Sequence, residues 1–331
     1  MNKTLGIFGP FPPPLGGISV HIKRIKPFLD KEGIDYTIYN HGNHKEERVV
    51  ATNKSPLFYL KLLFSKQYSL FHFHQFFFFH FFYYMIFSFL RREKIIVTIH
   101  SERILGYNKI IKSLVLFVLT RTRRLQLISV SKNLNDYLNE NKIKSIFLPA
   151  YVPPIFVKEK KIESKKKLFL FSVWKFNQKL ANEIYNVPLA FEYLRRNKDD
   201  FTMLFMIGSE SNSDLIYLKQ ILEKYDVSES VEVIFDENLV DYVKNCEFII
   251  RPNLSDGYGV SIQEAMDLGV PAIASNVCER PKGAVLFKND DIEDLSRSIT
   301  YVMNTERETI LEKKDSLTYH KELIEIYIKN I

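Results

Sequence analysis

The segment IIRPNLSDGYGVSIQEAMDLGVPAIAS, Ile249 to Ser275, gathers the residue types best able to do chemistry. Its pattern predicts a strand ending near Arg251, a loop over Asn253–Gly259, and a short helix that starts near Val260 and stops at Gly269. Pro271 then opens the next strand. Glycines at 257 and 259 let backbone N–H groups approach a ligand closely, and a helix N-terminus favours an anion there. Asp256 lies before the helix and Glu264 about one turn into it, so both carboxylates can face one crevice and touch different parts of one ligand. That set suits a nucleotide-sugar, with one acid for sugar hydroxyls, one for ribose hydroxyls and the N–H groups for phosphate. A plainer reading makes Asp256 a cap of the helix or turn and Glu264 a solvated helix residue. Spacing alone leaves the two readings level.

The elements that would hold this segment repeat along the chain. Thr4–Phe8 reads as a strand running into GPFPPPLGG, and Ile18, Ile22, Ile25 and Leu29 follow at helical spacing, so Gly16 and Gly17 lie just before a helix. DYTIYN, SLFHFH, KIIVTIH and LQLISVS read as further strands separated by helices or loops. Pro149 to Lys167 is rich in Pro and Lys, lacks periodicity, and reads as a linker. KLFLFSV, FTMLFMIG, VEVIF, EFIIRP and PAIAS then form a second series, with a helix over Asp214–Lys224 and an amphipathic, helical tail from Thr305 to Ile331. The expectation is an α/β protein of two doubly wound, Rossmann-like domains facing each other across a cleft, with ligands beyond the carboxyl ends of the strands. The domains are placed at 1–155 and 165–310, and a C-terminal helix at 311–331 is placed back on the first domain.

The chain's 331 residues favour two domains over one, and its composition of 46% apolar and 26% charged residues excludes disordered and fibrous classes. Two cysteines, Cys246 and Cys278, make no disulfide framework and no zinc pattern, as in a cytosolic protein. The net charge of +7 is divided unevenly: residues 1–150 carry 22 basic and 9 acidic residues, whereas the remainder carry 24 and 30. A basic half can meet an anionic membrane surface or a polyanion, but no basic block carries a nucleic-acid motif. Gln67–Leu90 has no Asp, Glu, Lys or Arg over 24 residues and holds ten of the 27 phenylalanines, enough length for a membrane span. His72, His74 and Gln75 interrupt it, however, and Tyr68–His74 alternates like a strand. The remainder, Phe76–Leu90, reads as a buried or membrane-apposed helix closed by Arg91, Arg92 and Lys94. His72, His74 and His80 have no carboxylate or cysteine partner at ligand spacing and read as core residues.

DGYGVSIQE, with EAMDLGVPAIAS continuing it, resembles the donor-site signature of the retaining glycosyltransferases of family 4, which have the GT-B fold. Asp256 stands where the more usual residue is Glu. Branches that build bacterial polysaccharides have RP…DG followed by an ERP-like element, as Glu279–Pro281 and Gly283 do here. GPFPPPLGGISVHI resembles the family's N-terminal glycine loop, VTIH its strand ending in a histidine, ISVS the strand before the interdomain crossing, and AVLFKNDDIEDL the close of its second domain. The resemblance implies that Glu264 binds the ribose of the donor nucleotide and that Asp256 contacts the transferred sugar. It implies that Gly257, Tyr258 and Gly259 offer backbone donors, that Gly16 and Gly17 close over the diphosphate, and that His100 sits near sugar and acceptor. The family's Gly-Arg step and following Lys are missing from FSVWKFNQKLANEIYNVPLAF; Lys175 stands in for the arginine and Lys179 for the second cation. Lysine lacks the guanidinium fork, so phosphate geometry would differ. Trp174, the only tryptophan, reads as core or cleft.

The activity so implied is transfer of a sugar from a nucleotide-diphosphate-sugar, UDP-linked, to a hydroxyl of a lipid-linked glycan in bacterial surface polysaccharide synthesis, with retention of configuration. Asp256, His100 and Lys175 are the candidates for catalysis. The step passes through oxocarbenium-like charge, and its main demand is stabilisation of the departing diphosphate. No Asp-x-Asp occurs, so the expectation is a metal-independent enzyme without a cofactor, peripheral at the inner face of the cell membrane and without nucleic-acid partners. Alternatives of the same fold are an epimerase or phosphorylase and a non-catalytic partner subunit. A nicotinamide enzyme would need GxGxxG, which occurs nowhere.

Overall fold

The computed structural model describes residues 4–13, 15–52, 55–64, 67–75, 79–208, 212–314 and 318–331. Two compact units emerge, the first from residues 1–13, 17–152 and 318–331, the second from 14–16 and 153–317.

The first unit holds β1 (Thr4–Gly9), α1 (Gly17–Lys31), β2 (Asp35–Asn40), β3 (Val49–Ala51), α2 (Pro56–Leu62), β4 (Leu70–Gln75), α3 (Phe79–Leu90) and β5 (Lys94–Ile99). It continues with α4 (Arg103–Gly106), α5 (Lys109–Arg121), β6 (Leu125–Ser129), α6 (Lys132–Glu140) and β7 (Ser145–Phe147). The strands pair in parallel in the order β3-β2-β1-β4-β5-β6-β7. Two helix starts are fixed locally: Asn108 accepts from the Ile111 N–H at 2.9 Å and Ser131 from the Leu134 N–H at 3.4 Å. Alternation along β4 sorts its side chains by face. Phe71 and Phe73 enter a core with Phe81, Tyr84 and Phe87 of α3 and Val115 and Val118 of α5, whereas Leu70 joins Ile22, Ile25 and Leu29 of α1 on the other side.

The uncharged run Gln67–Leu90 is therefore a central strand followed by a helix, and residues 76–78 of the expected helix lie outside the described residues. Twelve residues of α3 reach about 18 Å, short of a ~30 Å hydrocarbon core. Among the described residues no helix is long and apolar enough to cross a membrane.

The second unit holds β8 (Lys167–Val173), α7 (Gln178–Glu183), α8 (Val187–Arg196), β9 (Phe201–Ile207), α9 (Asn212–Lys224), β10 (Val231–Phe235) and β11 (Phe248–Arg251). Then come α10 (Val260–Asp267), β12 (Ala272–Ser275), β13 (Val285–Phe287), α11 (Ile292–Asn304) and α12 (Arg307–Leu311). All pairings are again parallel, in the order β10-β9-β8-β11-β12-β13. α8, α9 and α11 pack into one core, while Ile262, Ala265 and Met266 of α10 pack into the other.

Two boundaries differ from the sequence expectation. The unit begins at Pro153 rather than 165, because the Pro- and Lys-rich stretch is bonded onto it: Asp241 accepts from the Lys158 N–H at 2.8 Å and Asn245 from the Ile162 N–H at 3.0 Å. A non-periodic segment is thus anchored by side chains distant in sequence. The tail is not one helix either. α12 belongs to the second unit, and only the last helix, α13 (Tyr319–Asn330), joins the first, where Leu323, Ile324 and Tyr327 enter the core shared with α1.

Candidate functional site

In the second sheet the strand order reverses between β8 and β11, and the loops beyond their carboxyl ends form the switch point where such sheets bind ligands. The loop from β11 to α10 is organised by charge. Arg251 donates from Nε to Asp256 Oδ2 and from Nη2 to Oδ1 at 2.9 Å, while its Nη1 donates to Ser261 Oγ at 3.2 Å. Arg280 donates from Nη1 to the same Asp256 Oδ2, from Nε to the Ser275 carbonyl at 2.9 Å, and from Nη2 to Ser275 Oγ at 3.2 Å. The Gly257 N–H donates to Asp256 Oδ1 at 3.0 Å. The side chains are 20%, 10% and 1% exposed for Arg251, Asp256 and Arg280. Burial pushes the Asp256 carboxyl up, but the guanidiniums of Arg251 and Arg280 outweigh it and hold the group far below its usual range.

This corrects the expected role of Asp256. A carboxylate has about four acceptor positions, and here two guanidiniums and a backbone N–H fill them, leaving no capacity for sugar hydroxyls. Asp256 acts instead as a brace between two arginines. The cluster keeps one positive charge in excess, and Gly257, whose N–H serves Asp256, is not a free donor. Arg251 and Arg280 were not among the expected site residues. Their signal was the RP and ERP steps of the sequence, whose convergence on one carboxylate needs the β11–β12 pairing.

The glycines of this loop differ. Gly259 lies at φ +85° immediately before α10, and a Cβ there would fall 2.6 Å from Ile262 Cδ1 and 2.9 Å from Arg280 Nη1. The left-handed backbone there favours glycine, and any side chain would also press on the ends of Ile262 and Arg280. A Cβ on Gly257 would meet nothing within 4 Å. Tyr258 is buried, and Glu264 is a buried residue of α10, not a solvated one.

The loop after β8 reaches the same switch point. Tyr185, buried, takes hydrogen bonds from the backbone of Lys175 and Trp174 and also feels the charges of Arg251 and Asp256. Burial raises its phenol against those backbone bonds. The Leu254 N–H donates to the Ile184 carbonyl at 2.8 Å, tying the α7–α8 turn that holds Tyr185 to the β11–α10 loop. Lys175 itself is exposed, its ammonium 5.2 Å from the Trp174 ring centre. Lys179 is separate: 77% exposed on α7 and 3.9 Å from Glu183, it lines a surface depression with Asn182, Asp214 and Tyr217. Gly16 groups with this unit, and a Cβ on it would come 2.9 Å from Trp174 Nε1, so Trp174 is a half-exposed platform for a glycine and not a core residue. Gly17 opens α1, and a Cβ there would meet nothing.

His100 ends up in the first unit's own cluster, at the carboxyl end of β5. Its Nε2 lies 2.8 Å from His74 Nδ1, and the His21 ring of α1 stands 5.5 Å from His74 and 6.2 Å from His100. His72 Nδ1 contacts the Tyr327 hydroxyl at 2.6 Å and its Nε2 the Thr98 hydroxyl at 2.8 Å. Burial lowers His21 to about 4 and His72 to about 3, and His74 and His100 are lowered by burial and by neighbouring imidazoles. The cluster is uncharged at neutral pH. Because the folded values lie below the unfolded 6.5, its stability is complete above that pH and is lost as pH falls towards 3–4. Urea midpoints are expected to hold from neutral pH to about 6.5 and then fall, each such histidine withdrawing up to ~1.4 kcal/mol per pH unit. A flat midpoint down to about pH 5 would refute the buried, neutral assignment.

Both units together make the two-domain, Rossmann-like GT-B fold. Among solved structures, HepE from Anabaena in complex with UDP-glucose aligns with a TM-score of 0.75 at 12% identity, covering 98% of this chain and 99% of that one. Sucrose-phosphate synthase from Thermosynechococcus elongatus aligns at 0.73 and 13% identity over 99% and 98% of the two chains. WaaG, a glycosyltransferase involved in lipopolysaccharide biosynthesis, aligns at 0.69 and 11% identity over 99% of both chains.

Residues 155–319 match the family described as Glycosyl transferases group 1. Protein CapJ of Staphylococcus aureus is 26% identical over 219 residues, covering 58% of this chain and 56% of that protein. The chain therefore spans little more than half the length of that curated relative.

Proposed function

We propose that the chain transfers a sugar from a UDP-linked donor to a hydroxyl of a lipid-linked glycan, retaining anomeric configuration and using no metal, in bacterial surface polysaccharide synthesis at the inner face of the cell membrane. The observation that carries this reading is the excess positive charge of Arg251, Asp256 and Arg280 held beside the N-terminus of α10 at a sheet switch point. A departing nucleoside diphosphate gains negative charge, and fixed cations beside the positive end of a helix dipole stabilise it without reorganising. Lys175 adds a charge from the adjoining loop, and Glu264 binds the ribose. The leaving phosphate oxygen takes the acceptor proton, so no separate base is required. The group 1 match and the HepE complex with UDP-glucose support the donor class; WaaG, involved in lipopolysaccharide biosynthesis, supports the polysaccharide setting.

The test is thermal unfolding of the wild type and Glu264→Ala with UDP, GDP, dTDP and NADH. A diphosphate at about 100 times its dissociation constant adds ~2.7 kcal/mol of stability. UDP is expected to raise the midpoint of the wild type and to raise that of Glu264→Ala less. A response to NADH alone, or equal UDP shifts in both proteins, would sink the assignment.

A further inference from the structure

The helix layer over one face of the first sheet carries a surface that its core does not require. α3 and α5 pack on each other, with the Arg123 N–H donating to Ser88 Oγ at 3.0 Å, and send Phe81, Phe87, Val115 and Val118 inward. Their outer sides remain apolar as well. Ile86 and Phe89 of α3 are 48% and 53% exposed, and Ile110, Leu114 and Phe117 of α5 are 80%, 38% and 53% exposed. The last three stand four and three residues apart, a single stripe of the helix. Isolated exposed apolar residues are ordinary, but two adjoining helices bearing them together are not.

Along α5 and its flanks in the chain the charges have one sign. From Arg103 to Arg124 the chain carries six basic residues and no acidic one. Arg121 rests 5.2 Å over the ring of Phe117, and Arg123 lies 4.7 Å over that of Phe89. Cations are thus placed beside large apolar side chains, the arrangement by which interfacial helices meet anionic lipid. A second copy docking by two-fold symmetry would bring the same cations face to face, and a nucleic acid would leave the apolar stripe against phosphates.

We propose that the outer face of α3 and α5 docks on an anionic bilayer, with Phe89, Ile110 and Phe117 entering the headgroup boundary and Lys109, Lys112, Arg121 and Arg123 meeting lipid phosphates. The docking rests on the proposed place at the membrane and names the surface that holds the chain there; it does not depend on the donor assignment.

Flotation of the full chain with vesicles tests it, using phosphatidylcholine alone and phosphatidylcholine with about one-third phosphatidylglycerol. The wild type is expected to bind the anionic vesicles at least about tenfold better, and raised salt to weaken that binding. Ile110→Ser with Phe117→Ser, and separately Lys109→Glu with Arg121→Glu, are each expected to lose about tenfold or more of it. Both variants should keep the wild-type unfolding midpoint and any nucleotide shift, which separates failed docking from misfolding and from failure of the donor assignment. Absent or equal binding of the wild type to both vesicles overturns the proposal. So does a wild-type dimer, seen by light scattering, that the serine variant dissolves without any vesicle binding.

Discussion

Asp256→Ala is expected to lower the unfolding free energy by about 3–5 kcal/mol, because it leaves the guanidiniums of Arg251 and Arg280 without their shared anion. The larger share falls on Arg280, whose side chain is only 1% exposed and cannot turn to solvent. Asp256→Asn keeps the shape but removes the charge, and should lie close to the alanine variant. Urea unfolding measures both. The outcome distinguishes the brace from a sugar ligand: a ligand would leave stability unchanged and alter only donor affinity. Arg280→Gln in the Asp256→Asn background should cost less than the two single changes added together, since the partner's charge is already uncompensated. If the two changes add, the ion pairs contribute nothing to the fold and the electrostatic account of the site fails.

The second large effect is expected at the other end of the chain. Tyr327 of α13 is 1% exposed, and its hydroxyl lies 2.6 Å from His72 Nδ1 on the central strand β4. Tyr327→Ala removes a buried ring and should cost about 3–5 kcal/mol. Tyr327→Phe retains the ring and strands a buried imidazole nitrogen, at a cost of about 1–3 kcal/mol. A calorimetric or urea comparison of the two variants separates packing from the hydrogen bond. Equal effects would show that the hydroxyl carries the whole contribution, and two small effects would show that α13 is not part of the first unit's folding core.

Most strands of both sheets were legible because parallel strands buried on two faces write themselves as short apolar runs, among them KIIVTIH and KLFLFSV, whereas β3, β7 and β13, three residues each, are too short to show such a run. The limits of α10 were legible too, since Gly259 at φ +85° and Gly269 at φ +82° mark left-handed backbone that only local chemistry dictates. In the same segment Asp256 was misassigned. Its type and place before a helix are local facts, but its occupation by Arg280, 24 residues away, depends on the neighbouring strand.

Similar reasoning separates the histidines. Alternation in β4 puts His72 and His74 on one face, yet their partners Tyr327 and His100 lie 255 and 26 residues distant, beyond any periodicity. Lys175 and Lys179 differ by four residues in sequence. Only the packing of Tyr185 shows that the first adjoins the β11–α10 loop while the second faces solvent beside Glu183.

From the sequence alone came the two α/β series and the glycine-bounded helix, because backbone preference and hydrophobic period act over a few residues. Which charge neutralises which, which carboxylate is already occupied and where the last helix is placed were settled by tertiary packing. Coulombic and hydrogen-bond partners are chosen by distance in space, and a linear pattern does not carry that distance.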